Sequence, residues 1–91
     1  MPEVTREFAK LFDRPAYGQV LLKLDVDDEG RPELRWFAHP PGVGVCSLAF
    51  GFEDDDAGWG DARRAFDQAT EKSADEMGRT LRSAVEELLD D

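Results

Sequence analysis

Four consecutive acids, Glu53 to Asp56, are the first group in this 91-residue chain whose side chains could do chemistry. Clustered carboxylates suit hard cations such as Mg²⁺ or Ca²⁺. Consecutive side chains point in different directions, however, and rarely converge on one ion without ligands from elsewhere. The alternatives are a surface recognised by a partner and the start of a helix, where carboxylates cap free N–H groups and complement the dipole. We predict helix initiation and no metal site.

A second acidic stretch, "DVDDEG" from Asp25 to Gly30, matches the first six positions of an EF-hand calcium loop. The match then fails. Position 12, which needs a bidentate glutamate, is Trp36, and Pro32 occupies position 8. The preceding residues 20–26 alternate like a strand rather than forming the incoming helix. We predict an acidic hairpin turn here.

His39 and Cys46 are the only residues of their types, so they form the one possible cysteine–histidine pair. Such a pair needs direct contact and a third group that orients the base. The alternation of the predicted strands places the two side chains on opposite faces of a sheet. We therefore expect Cys46 to be a buried, inert thiol, and we predict no catalytic residue and no cofactor.

Three segments show the alternation of half-buried strands, at about 19–26, 32–39 and 43–52. The first two are joined by the "DDEG" turn into an antiparallel hairpin, and "HPPG" turns the chain again before the third. The sequence therefore predicts a three-stranded antiparallel meander.

Helices are predicted on both sides of this meander. Val4, Phe8, Leu11 and Phe12 fall at helical spacing and indicate a short helix at about 3–13. After the acid run, a stripe from Trp59 to Ala69 predicts a helix at about 57–70. "SADE", beginning at Ser73, has the pattern of a capping box and predicts a second helix at about 74–89.

The predicted fold is one α+β domain, residues 1–91, in the order α-β-β-β-α-α, with the two C-terminal helices covering one face of the sheet. The other face, here called the second face, carries Leu21, Phe37 and Val45 among charged residues. Either the N-terminal helix packs there, or these residues are scattered, or they form an exposed apolar patch for dimerisation or a partner.

Charge is the strongest global feature. The net charge is −10; residues 1–52 hold 8 acids and 6 bases, net −2, whereas residues 53–91 hold 13 acids and 5 bases, net −8. Such a field repels phosphate backbones and anionic lipid, which disfavours direct nucleic-acid or membrane binding. It favours either a basic partner or solubility alone. Without a signal-peptide pattern or a long apolar run, we expect a cytoplasmic protein.

These observations favour a non-enzymatic interaction module that presents carboxylates to a basic groove on a partner, such as a nucleic-acid-binding protein. In size, charge and compactness the chain resembles small acidic inhibitors encoded by phages and mobile elements, including nucleic-acid mimics and anti-CRISPR or anti-restriction proteins. The expected acting residues are Asp54, Asp55, Asp56, Asp61, Asp67, Glu86, Glu87, Asp90 and Asp91.

Two alternatives stay open. One is a homodimer joined through the second face, with Leu21, Phe37 and Val45 at its centre. The other is an accessory enzyme subunit that uses His39.

Overall fold

The fold is α+β, with an antiparallel sheet followed by two C-terminal helices. The computed structural model describes residues 4–6, 8–39, 42 and 44–89. The elements are β1 (Val4–Arg6), β2 (Ala9–Arg14), β3 (Gly18–Val26), β4 (Pro32–Ala38), β5 (Cys46–Gly51), α1 (Asp56–Gln68) and α2 (Glu71–Leu89). The strands form one meander in the order β1-β2-β3-β4-β5, each pairing with the next along the chain. The predicted β3–β4 hairpin, third strand and two helices are confirmed within a few residues.

The predicted N-terminal helix at 3–13 is wrong, because this segment forms β1 and β2 and enlarges the sheet beyond three strands. In the three-stranded prediction one edge of β3 had no partner, and β2 pairs with that edge. This pairing satisfies main-chain N–H and C=O groups of β3 that a short N-terminal helix would leave unpaired. Lys10 and Phe12 point inward on alternate positions and are both buried. The alternation of buried and exposed positions was not recognised in the sequence because one buried position is a lysine. The aliphatic stem of a lysine nevertheless packs well against apolar side chains.

The two helices cover one face of the sheet, as predicted. Cross-strand neighbours on this face bury one another and meet the helices, and they form a single hydrophobic cluster. Its members are Phe12, Val20, Leu22, Leu24, Leu34, Trp36, Ala38, Ala62, Phe66, Ala69, Ala74 and Leu81. The helices cover β5 incompletely, because Leu48 and Phe50 on this face remain 37% and 45% exposed.

The break between α1 and α2 comes at Ala69–Thr70, three residues earlier than the predicted capping box. Thr70 takes the N-cap role: the Thr70 N–H donates to Ser73 Oγ at 3.2 Å, and Thr70 Oγ1 accepts from the Ser73 N–H at 3.5 Å. Ser73 therefore lies inside the first turn of α2 and reaches back to the cap, rather than serving as the cap itself.

Lys10 fastens the end of α1 to the sheet. Its Nζ donates to the main-chain oxygens of Phe66 at 2.7 Å, Asp67 at 3.0 Å and Ala69 at 3.3 Å. α1 has no basic residue in its own last turn, so β2 supplies the cation that its C-terminal dipole favours. Burial lowers the pKa of the Lys10 ammonium, and the nearby Asp67 carboxylate opposes that shift.

Arg14 ties β2 to α2 in a similar way. Its guanidinium makes a two-pronged contact with Asp75, Nε to Oδ1 at 2.7 Å and Nη2 to Oδ2 at 2.9 Å. Hydrogen bonding from Arg14 lowers the pKa of the Asp75 carboxyl. The stabilisation from this pair is therefore present above the ordinary pKa of an aspartate and is lost as the pH falls through the lowered value. In the described part of the chain, neither helix has the length and apolar character needed to span a bilayer.

Candidate binding surface

The acid run begins helix α1, as predicted. Asp55 is the N-cap, and its Oδ1 accepts a hydrogen bond from the Gly58 N–H at 2.6 Å. Asp56 follows in the first turn, where the helix dipole favours a negative charge. Gly58 is buried beneath the main chain of Glu53, so the acidic loop folds tightly over the helix start.

Trp59 lies beside this loop rather than in the core. Its indole Nε1 donates to Asp54 Oδ1 at 3.3 Å, and 38% of the residue is exposed. The helical stripe predicted for α1 is buried at Ala62, Phe66 and Ala69 but not at Trp59. Trp59, the first residue of that stripe, is therefore a surface residue.

A cleft of about 530 Å³ lies between the start of α1 and the β3–β4 turn, and is here called the acidic cleft. Its charged lining residues are Asp27, Arg31, Glu53, Asp55 and Asp61. Arg31 is held at one wall by Asp27 and Glu29, each at 3.0 Å. Four carboxylates thus share the cleft with one guanidinium, and the cleft is negative.

An apolar pit of about 200 Å³ lies where the end of β3 meets the start of α1. Three of its side chains are large and exposed: Phe8 and Val26 at 49% each, and Trp59 at 38%. Asp25 also lines it, and Asp54 bonds to Trp59. The pit is therefore an apolar surface with carboxylates at its rim. No local sequence pattern predicts it, because its residues are far apart in the chain.

Three other acids of the predicted interaction surface are paired within their own helices. Asp61 pairs with Arg64 at 3.1 Å, Asp67 with Arg63 at 3.2 Å, and Glu86 with Arg82 at 3.1 Å. All three pairs are exposed and are worth little to stability. They also reduce the negative field near their own carboxylates.

The remaining predicted acids are not gathered with the run. Glu87 is exposed near the C-terminal end of α2, on the other helix. Asp90 and Asp91 lie outside the described residues. Of the predicted acids, Asp54, Asp55 and Asp56 lie together at the start of α1, and Asp61 lines the acidic cleft beside them.

The second face brings together the three residues predicted for a dimer interface. Leu21 and Phe37 are cross-strand partners, and with Val45 and Leu11 they line a shallow depression of about 240 Å³. Leu11 was assigned to the helix that the structure replaces with β2, so its place beside Leu21 could not be foreseen. The patch is real but small, and Lys23 and Arg35 lie in the adjacent cross-strand row.

His39 and Cys46 lie on opposite sides of the sheet. His39 is exposed and lines the second-face depression, whereas Cys46 packs partly buried against the hydrophobic cluster. Within the described ranges no group of three or more histidine, cysteine, aspartate or glutamate side chains is placed to hold a metal ion.

Comparison with known proteins supplies no relative. No family model, no curated protein and no solved structure matches the chain. The function is therefore argued from the charge and geometry of the surface itself.

Proposed function

We propose that this protein is a non-enzymatic interaction module that binds a basic protein partner at the start of α1. The observation that carries the proposal is the difference between two groups of acids. Asp61, Asp67 and Glu86 are paired with arginines. Within the described part of the chain, none of the acids from Glu53 to Asp56 has an arginine or lysine nitrogen within 4.0 Å, and Glu53 interacts with Arg31 only across the acidic cleft. The unpaired carboxylates are exposed on one loop and leave a local excess of negative charge.

The apolar pit adds apolar contact area to the negative charge of the acid run. Binding energy in protein interfaces concentrates in a few apolar or aromatic contacts that exclude water, and tryptophan is prominent among them. Trp59 and Phe8 flank the pit, and the acid run lies immediately beside it. The partner that fits this surface carries an aliphatic or aromatic side chain flanked by lysine or arginine.

Proteins that hold nucleic acid in a basic groove are partners of this kind. Carboxylates on the run would occupy positions otherwise taken by phosphates, and the module would act as a competitor or inhibitor. Long-range attraction would accelerate association, and affinity would fall as salt screens the charges. The same field keeps the module itself away from nucleic acid.

The test compares two variants that each lose three negative charges. The first, Glu53→Gln with Asp54→Asn and Asp56→Asn, removes unpaired acids and leaves the Asp55 cap intact. The second, Asp61→Asn with Asp67→Asn and Glu86→Gln, removes paired acids. A partner captured by the wild-type chain at low salt is purified, and its dissociation constant is measured for all three proteins.

We expect the first variant to bind at least about tenfold more weakly and the second to bind nearly as well as the wild type. We also expect wild-type affinity to fall at least about tenfold between about 50 and about 500 mM NaCl. Equal losses in the two variants, or affinity that does not change with salt, would contradict recognition by the acid run.

A second candidate function is a homodimer joined through the second face, which the depression at Leu21, Phe37 and Val45 favours. Phe37→Asp places a charge in the centre of that patch, and we expect it to convert such a dimer to the monomer mass of 10.2 kDa in sedimentation equilibrium. Gln19→Asp, at the rim of the same depression, is the matched control and should keep the wild-type mass. An unchanged mass for Phe37→Asp removes this face as a dimer interface.

A further inference from the structure

The outer edge of β5 is an open pairing surface. β5 lies at the end of the sheet, and among the described residues only β4 pairs with it. The Phe52 N–H donates to the Pro32 oxygen at 2.9 Å, which fixes the alternation of the ladder. By that alternation Cys46, Leu48 and Phe50 bond to β4, whereas the main-chain N–H and C=O groups of Ser47, Ala49 and Gly51 face outward.

This edge lacks the devices that keep edge strands apart. Natural edges carry charged side chains, prolines or bulges that block pairing with another chain. No charged residue occurs between residues 40 and 52, in a chain whose charged fraction is 35%. β5 instead exposes Leu48 and Phe50 on the helix-covered face of the sheet.

We propose that two copies of this chain pair through β5 in antiparallel orientation about a two-fold axis at Ala49. In this register Ser47 of one copy faces Gly51 of the other, and the three outward residues each donate and accept across the interface. Leu48 then lies opposite Phe50 of the other copy, so the exposed large side chains cover each other. Ser47, Ala49 and Gly51, on the second face, are small and leave room at the axis.

The self-complementary register indicates a second copy as the occupant, because exposed Leu48 and Phe50 of each copy cover Phe50 and Leu48 of the other. Two molecules of net charge −10 repel, and β5 itself carries no charged residue. The nearby Arg35 guanidinium, whose Nη1 donates to Ser47 Oγ at 3.2 Å, is paired with Glu33 at 3.0 Å. An isologous contact also uses the same edge in both copies and therefore closes at two. At the opposite end of the sheet, the edge strand among the described residues is β1, three residues long. The resulting dimer has a continuous sheet of both meanders with all four helices on one side.

The test is sedimentation equilibrium of the full chain at about 100 µM in about 500 mM NaCl, where salt screens the repulsion between copies. The wild type is expected at twice 10.2 kDa. Ala49→Pro removes an outward N–H without removing a bond to β4, and it is expected at 10.2 kDa with an unchanged circular dichroism spectrum. Ala49→Val keeps the N–H and is expected to remain dimeric. Leu48→Lys, which adds a charge where the copies meet, is a second disrupting variant in case the proline disturbs folding.

Three results overturn the proposal: a wild-type chain at the monomer mass, a folded Ala49→Pro that stays dimeric, or a folded Leu48→Lys that stays dimeric. Disruption by Phe37→Asp but not by the β5 variants places the dimer on the second face instead. The proposed dimer is independent of the basic partner, because higher salt strengthens pairing of like-charged copies and weakens binding to a basic protein. A result that overturns the dimer therefore leaves the proposed partner binding untouched, and the reverse also holds.

Discussion

We expect Lys10→Met to lower the free energy of unfolding by about 1–3 kcal/mol, because it removes the buried ammonium that donates to main-chain oxygens at the end of α1. Three carbonyls, those of Phe66, Asp67 and Ala69, now receive hydrogen bonds from the Lys10 ammonium. Methionine fills the same space but donates nothing, and it also loses the cation–π contact to the Phe66 ring, 5.0 Å from Nζ. Urea unfolding followed by tryptophan fluorescence measures the change.

Lys23→Met is the matched control for this experiment. Lys23 lies on the second face, partly exposed, with one long ion pair of 4.0 Å to Asp25. We expect its replacement to change the free energy of unfolding by no more than about 0.5 kcal/mol. Amide exchange should also quicken in the last turn of α1 for Lys10→Met alone. Similar small effects from both substitutions would show that the Lys10 contacts do not hold the helix.

The second large effect is expected at Gly58, where alanine should destabilise the protein by about 1–3 kcal/mol. A Cβ on Gly58 would lie 2.7 Å from the carbonyl carbon of Glu53 and 2.9 Å from its nitrogen. Both atoms belong to the main chain, so the acid loop itself must move to admit the methyl group. Urea midpoints of the wild type and Gly58→Ala measure the loss.

Gly60→Ala tests the same substitution two residues further along α1, with the opposite expected sign. Apart from its chain neighbours and the backbone of its own helix, no atom of the described residues lies within 4 Å of a Cβ on Gly60, which is an exposed position inside α1. Alanine there should stabilise the protein by about 0.5–1 kcal/mol, because glycine loses more backbone entropy in a helix. If both alanines shift the midpoint in the same direction, the close approach of Glu53 to Gly58 does not govern the helix start.

The parts of the fold that were predictable from the sequence are those encoded locally. Alternation identified β3 and β4, and the turn between them needs only the acids and Gly30. The N-terminal segment was mispredicted because its apolar spacing fits a helix, whereas its structure is decided by pairing with β3. That pairing is a tertiary effect, and strand preference depends strongly on such context.

The candidate site, like the fold, was predictable only where it is encoded by neighbouring residues in the chain. A cap supplied by the acid run follows from its place before a helical stripe, and it was predicted; the structure identifies the cap as Asp55. The apolar pit was not, because Phe8, Val26 and Trp59 come from three segments that only the folded chain brings together. Pairing of Asp61 and Asp67 with arginines was foreseeable from helical spacing, and it decides which acids remain available.

The long-range contacts between β2 and the two helices also bear on the order in which the parts of the fold form. Each strand of the meander pairs with its neighbour in the chain, so the sheet closes only short loops. The bonds from Lys10 to Phe66 and from Arg14 to Asp75 span 56 and 61 residues. Contacts between distant residues form slowly because more chain entropy must be lost before they are made. We therefore expect the helices to dock after the strands have paired.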